Sequence, residues 1–244
     1  MRMFRLAASA AAAILISACA STGEAQARRL DPAVPADAMT IQRKVQCSTV
    51  ENEPVVYWWH GKALSRRQGE RDRHLFDVEG MNIRACSAIT SEDGVPGFHL
   101  VSREILLYKD KDTGEVLKTW ENPWSGETVE VLHVANDPVN WRSYQVSRDG
   151  TPVTWSGEIG GPNWWLQSTF PLWYANPLAG DFQKEVGGTY HATELFNFFG
   201  RTQDLLDPST TTAIVTVAWT RIADWLPWMM MNGREGMMYM HTSD

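Results

Sequence analysis

From residue 55 onward, β-branched and aromatic residues alternate with polar ones in short runs broken by Gly, Asn and Asp. This is the pattern of antiparallel strands rather than helices. Val55 to Trp59 is one such run, and Phe98 to Tyr108 is a longer one that ends at Lys109-Asp110-Lys111-Asp112-Thr113-Gly114-Glu115. Val116 to Trp120 returns as a strand, Asn122-Pro123-Trp124-Ser125-Gly126-Glu127 turns again, and Thr128 to Val134 follows. Gly114 falls where a hairpin turn needs positive φ. Thr113-Gly114-Glu115 and Ser125-Gly126-Glu127 are twelve residues apart, the pace of a β-meander, and Ser156-Gly157-Glu158 repeats the chemistry. Thr151 to Ile159, Thr189 to Phe199, Thr210 to Arg221 and Met237 to His241 are further strand candidates. No segment has long, capped helical periodicity, although a short helix near Leu195–Leu206 stays open. Roughly eight to ten short strands predict a mainly β fold: an antiparallel meander closing into a calycin-like β-barrel with few short helices, a sandwich being the alternative.

The N-terminus follows a different logic. Arg2 and Arg5 precede an uncharged run from Leu6 to Ala18, too short for a bilayer-spanning helix and suited to a signal peptide over residues 1 to 18. Ile16-Ser17-Ala18-Cys19 is similar to a bacterial lipobox, which would place lipid on Cys19. Ala25-Gln26-Ala27 is the rival, a site for ordinary cleavage that would release a soluble periplasmic or secreted protein. Lipidation predicts an anchor of several acyl chains in the cell envelope, facing the periplasm. Residues 19 to 40 read as the lipidated cysteine and a flexible tether. Residues 41 to 244 read as one domain large enough for a proper core.

Removal of residues 1 to 18 takes the formal charge from −7 to −9. Such a chain is a poor non-specific partner for nucleic acid. Cys47 and Cys86 are expected as separate buried thiols, a disulfide between them being the alternative. The chain carries 12 tryptophans, which suit cores, ligand pockets and wet–dry boundaries because each joins a large apolar ring to one N–H donor. The stretch Trp225 to Met231 is expected to be a lid, a corner or a membrane-facing edge.

No HExxH, paired CxxC, phosphate-cradling glycine loop or GxSxG elbow is present, so no metal and no cofactor are expected. Asp110 and Asp112 belong to a hairpin turn rather than a calcium loop, because Gly114 is misplaced for the latter. Strand parity is more informative. A polar residue that shares its face with apolar neighbours points inward, where it needs a partner. His133 shares parity with Val129 and Val131; Glu194 with Tyr190, Phe196 and Phe198; Arg221 with Val215, Val217 and Trp219. Glu104 goes with Phe98, Leu100 and Leu106, and His60 with Val56 and Trp58. Closure of the sheet would aim Glu104, His133, Glu194 and Arg221 into one cavity. For any one of them a structural ion pair or a strand-end histidine bonded to backbone is the competing reading. Asn140, in Asn136-Asp137-Pro138-Val139-Asn140, is a candidate for a structural corner or a binding loop. Trp58 and Trp120 are core residues or cavity walls.

The segments Tyr108-Lys109-Asp110, Thr113 to Leu117, Trp120-Glu121-Asn122-Pro123, Ser125-Gly126-Glu127 and Asn136 to Asn140 together resemble a bacterial family, domain of unknown function 1838. Leu195 to Phe199 and Trp228-Met229 through Met240-His241 are similar too, and the resemblance covers most of residues 40 to 241. It implies no reaction. Members of that family continue past the final tyrosine–histidine strand, so a chain that stops at Asp244 is expected to leave a barrel open or a pocket uncovered.

The expectation is a lipid-anchored envelope β-barrel that binds a small apolar or amphipathic molecule, with Glu104, Arg221, Asn140, Trp58, His60 and Trp120 as ligand contacts. Two alternatives stand beside it. One is a cofactor-free lyase, isomerase or hydrolase with His133 and Glu194 as the catalytic acid/base pair. The other is a non-catalytic module in which an exposed Trp225–Met231 stretch docks a partner or a bilayer.

Overall fold

The computed structural model of the chain describes residues 28–175, 189–231 and 234–243. The signal segment, Cys19 and the rival cleavage site lie outside the described residues. Helix α1 (Pro35–Gln46) comes first, then β1 (Val55–Arg66), β2 (His74–Thr90) and β3 (Pro96–Lys109). Short strands follow: β4 (Thr119–Glu121), β5 (Thr128–Glu130), β6 (Val134–Asp137), β7 (Trp141–Tyr144) and β8 (Glu158–Gly160). The chain then runs through β9 (Asn163–Ala175), β10 (Thr189–Arg201), helix α2 (Thr202–Leu206), β11 (Val215–Ala223), a 3-10 turn at Pro227–Met229, and β12 (Met237–Ser243).

Ten strands form one antiparallel sheet in the order β6-β3-β2-β1-β12-β11-β10-β9-β8, with β7 also on β3; β4 and β5 form a separate ribbon. The sheet is thus two meanders, β1 to β3 and β9 to β11, joined at the centre by the C-terminal strand. β12 pairs β1 from Met237↔Arg66 to Ser243↔His60 and β11 from Met238↔Ala223 to Ser243↔Ala218. The fold is mainly β and antiparallel. Among the described residues no ladder joins β6 or β7 to β8, so hydrogen bonding does not close the sheet. It is nonetheless strongly curled, because side chains from β3 and from β9 line the same cavity.

Helix α1 spans the gap between the two meanders. Pro35 starts it, where a missing N–H costs nothing. Ala38, Ile41 and Val45 recur at helical spacing and are buried. Ile41 and Val45 pack with Trp164, Leu166, Phe198 and Leu205 of the C-terminal arm, while Met39 and Cys47 pack with Cys86, Phe98 and Leu100 of the N-terminal arm. The tether expected over residues 19 to 40 therefore gives way to packed helix from residue 35. Its apolar residues are few, but Ala38, Met39, Ile41 and Val45 are all buried.

Two local anchors hold α1. Lys44 is buried, and its ammonium donates to the carbonyls of Asp204 (2.6 Å), Leu205 (2.9 Å) and Asp207 (2.7 Å), closing the C-terminal end of α2. Cys47 and Cys86 form a disulfide, Cα–Cα 6.1 Å, between the end of α1 and β2. This corrects the expectation of two separate thiols, because the helix end delivers Cys47 onto a strand that spacing alone did not place.

The second core layer is aromatic. Phe76, Tyr108, Trp120 and Trp228 pack around one another with ring centroids between 5.2 and 6.2 Å. Trp225, Leu226, Trp228, Met229 and Met231 are all buried here. The segment expected as an exposed lid, corner or membrane-facing edge is instead an internal plug, each large side chain contributing about 1.5–3 kcal/mol of burial.

Asn122 holds the plug. Its Oδ1 accepts the N–H groups of Trp124 (2.9 Å) and Ser125 (3.3 Å), and its Nδ2 donates to the Met229 carbonyl (3.1 Å). Asp110 makes the same turn one hairpin earlier, its Oδ1 accepting from the N–H groups of Asp112 and Thr113. Gly114 (φ +75°) and Gly126 (φ +71°) close the two turns, so the repeated chemistry is a repeated backbone shape and not a cation loop.

Candidate functional site

A cavity of about 750 Å³ occupies the concave side of the sheet, with side chains from β1, β2, β3, β9, β10, β11 and β12 and from residues 132–139 and 226–228 around it. Its chemistry is layered. On β3, Phe98 and Leu100 belong to the α1 layer and Leu106 and Tyr108 to the aromatic layer; Glu104 stands between them. On β10, Phe198 belongs to the α1 layer and Tyr190 and Ala192 to the aromatic layer, with Glu194 between. Period-two alternation puts each carboxylate on the same inward face as its apolar neighbours.

Register assembles the rest of this polar belt. Tyr57, Asn82, Glu104 and Asp137 face one another in sequence across β1, β2, β3 and β6. Glu194 faces Arg221 across β10 and β11. Asn82 donates to Glu104 Oε2 (3.1 Å) and accepts from Arg84 Nε (2.9 Å); Arg84 also donates through Nη1 to Gln46 Oε1 of α1 (2.7 Å). The Arg84 guanidinium lies 4.5 Å from the centre of the Tyr57 ring, and the Tyr57 hydroxyl donates to the Val45 carbonyl. Arg221 Nη1 is 3.7 Å from Glu194 Oε1, and its guanidinium lies 5.3 Å from the centre of the Tyr190 ring.

Burial dominates the protonation of these groups. It pushes Glu104 above the usual carboxylate range, with the Asp137 charge adding to it, while the Asn82 hydrogen bond and the charges of Arg84 and Arg221 pull the other way. Burial also raises Glu194, the Arg221 charge opposing and the Glu104 charge reinforcing it. Burial lowers Arg84, against the opposing influence of Tyr57 and Glu104. The belt is thus a desolvated layer in which a carboxylate is disfavoured by burial and favoured by the charges of Arg84 and Arg221.

Glu104, His133, Glu194 and Arg221 all line this one cavity. The imidazole of His133 is already engaged on both sides, however. Its Nδ1 accepts the Tyr108 backbone N–H (3.1 Å) and its Nε2 donates to the Leu117 carbonyl (2.8 Å), with the ring stacked on Tyr108 at 5.6 Å. This arrangement fixes the Nε2–H tautomer and splices the loop to β3 beyond the point where β6 pairs it. It leaves neither nitrogen to move a proton, so the ring acts here as a strand-end brace.

The remaining candidates lie elsewhere. Asn140 Oδ1 accepts the Ser102 N–H (3.0 Å), and Ser102 Oγ donates to the Val139 carbonyl (2.6 Å); this is a structural corner behind the cavity wall. Trp120 is buried in the aromatic layer. Trp58 and His60 are on the outer face, packed edge-to-face at 5.1 Å, with the Trp58 indole N–H donating to Glu79 (3.2 Å). The expected inward pointing of that pair is corrected by Tyr57, Ala63 and Ser65, whose burial shows that odd-numbered residues of β1 face inward.

Sequence reasoning missed Asn82, Arg84 and Asp137. Asn82 and Arg84 share parity with Val78 and Cys86, a signal that was present in β2. Asp137 could be placed only by its pairing with Glu104.

Fold and site together define a class: a single curled antiparallel sheet, braced by one helix and an aromatic plug, around a cavity with a polar belt. The family model described as "Protein of unknown function (DUF1838)" matches residues 52–244, and the chain belongs to that family. No curated protein matches the chain. Among solved structures, MucB in complex with MucA(peri) is 8% identical over 86% of this chain and 92% of that one, with a TM-score of 0.16, a likeness that carries no argument.

Proposed function

We propose that this protein is a lipid-anchored envelope protein whose curled sheet acts as a calycin-like container for one small amphipathic molecule. The observation that carries the reading is the layered cavity. Its volume falls within the range of about 300–1,000 Å³ typical of small-molecule sites. Tyr108, Leu106, Leu172 and Trp228 supply apolar wall on one side of the belt, and Phe198 and Val217 supply it on the other. A ligand with one polar group and an apolar body satisfies both parts, whereas a wholly apolar one would leave Arg84 and the carboxyls desolvated without compensation. The anchor is supported by the uncharged run that leads into Cys19. The disulfide suits an oxidising compartment.

Titration of the protein with straight-chain amphiphiles, followed by intrinsic tryptophan fluorescence and by calorimetry, tests the reading. Saturable binding of one molecule per chain is expected, weakened by Ala135→Trp, which adds bulk at an exposed position of the cavity lining. Unsaturable partitioning, or binding indifferent to that substitution, would refute it.

A further inference from the structure

We infer that the polar group this cavity is built to receive is an anionic hydrogen-bond acceptor, a carboxylate above all, held at Arg84. The inference rests on the proposed binding function and names its ligand class. It starts from a guanidinium whose hydrogen-bond partners carry no charge.

Arg84 is the first observation. Among the described residues its two hydrogen-bond acceptors, Asn82 Oδ1 and Gln46 Oε1, are neutral amides, and Glu104 is joined to it through the Asn82 amide. Guanidinium groups are matched in geometry and charge to carboxylates, so a buried one held by amides and a Tyr57 ring retains capacity for an anion.

The indoles of Trp59 and Trp228 are a second, independent observation. Both line the cavity, and their N–H groups are buried with no acceptor among the described residues. An indole nitrogen can only donate, so a ligand that satisfies it must bring acceptors.

The acids of the belt do not argue for a cation. Glu194 already faces Arg221 at 3.7 Å. Glu104 and Glu194 both have raised proton affinity, chiefly through burial, with Asp137 adding to each, so neither favours carrying an unpaired charge. Arg84 is therefore the cationic donor of this cavity whose own partners are neutral, and Trp59 and Trp228 add indole donors to its walls.

Three probes with the same tail separate the possibilities: dodecanoate, dodecanol and dodecylamine, each titrated into the full domain at neutral pH below its micellar concentration. Dodecanoate is expected to bind about tenfold tighter or more than dodecanol, the scale of a charge-assisted hydrogen bond. Arg84→Gln is expected to erase that preference, the ratio of dodecanoate to dodecanol affinity falling about tenfold or more to near one, whatever happens to the common affinity for the tail. Should Arg84→Gln fail to fold, Arg84→Lys serves: it keeps the charge but loses the planar fork, and the preference should shrink. Equal affinity for dodecanoate and dodecanol would overturn the head-group assignment and leave amphiphile binding standing. Preference for dodecylamine would overturn it in favour of the carboxyls. Saturable binding of none of the three would remove the proposed binding function along with it.

Discussion

Glu194 on β10 and Glu104 on β3 line the same cavity, although five inter-strand steps separate them in the sheet order. In a flat sheet those steps amount to about 24 Å, a separation at which solvent screening would hide one carboxylate from the other. The curl of the sheet brings them to a single cavity, where Arg221 favours the charged form of both. What would be two unrelated surface acids becomes one polar belt. The functional proposal depends on that geometry.

Because both acids hold their protons more tightly in the folded state than in an unfolded chain, their linkage to stability has a definite sign. The native state binds the extra protons between the ordinary carboxylate range and the raised values, so stability from these groups is present at low pH and is lost as pH rises through the raised values. Glu104→Gln, which keeps the Asn82 contact in a neutral form, should stabilise the protein at neutral pH and flatten that loss. Urea denaturation of wild type and variant across mildly acidic to neutral pH checks it. A variant whose stability runs parallel to wild type would show that Glu104 ionises without penalty.

Removal of the Cys47–Cys86 bond should destabilise strongly. The bond closes a sequence separation of 39 residues, and loop-closure entropy places its contribution at about 4 kcal/mol. Unfolding of the Cys47→Ala/Cys86→Ala protein, with the oxidised state of the parent confirmed by thiol alkylation and mass, measures it.

Lys44 offers a contrasting case, since among the described residues its charge has no side-chain ion-pair partner at bonding distance but three carbonyl acceptors. Lys44→Met should cost about 2–4 kcal/mol because α2 then loses its closing donors inside the protein. Hydrogen exchange should show residues 202–207 opening faster, with β1 and β2 little changed.

Asn122→Ala should release the plug. It removes two turn bonds and the link to Met229, an expected loss of about 2–3 kcal/mol. Increased exposure of Trp228, read as a red shift in tryptophan emission before global unfolding, is the accompanying sign.

Much of the site was legible because β3, β10 and β11 are long and bury one face only. In Phe98-x-Leu100-x-Ser102-x-Glu104-x-Leu106 the two aromatic-to-leucine ends flank Glu104 on one parity, and Tyr190 to Phe198 brackets Glu194 in the same way. β1 misled because Val55-Val56-Tyr57-Trp58-Trp59 is apolar on both faces; packing by Tyr57 and Ala63, which parity cannot weigh, selects the inner one. Trp225 to Met231 lacks any period, so its burial depended on a partner, Asn122, more than a hundred residues away. The full engagement of His133 was out of reach for the same reason: its acceptor and donor are backbone groups whose positions only the folded loop defines.

A double-mutant cycle between Glu104 and Glu194 tests the enclosed belt most directly. Stability at neutral pH is measured for wild type, Glu104→Gln, Glu194→Gln and the double variant. Facing carboxylates predict non-additivity, the double variant gaining less than the two single gains combined, because relief of one charge already relieves the other. Additivity to within about 0.5 kcal/mol, as for independent sites, would place the two residues on separate surfaces and contradict the cavity.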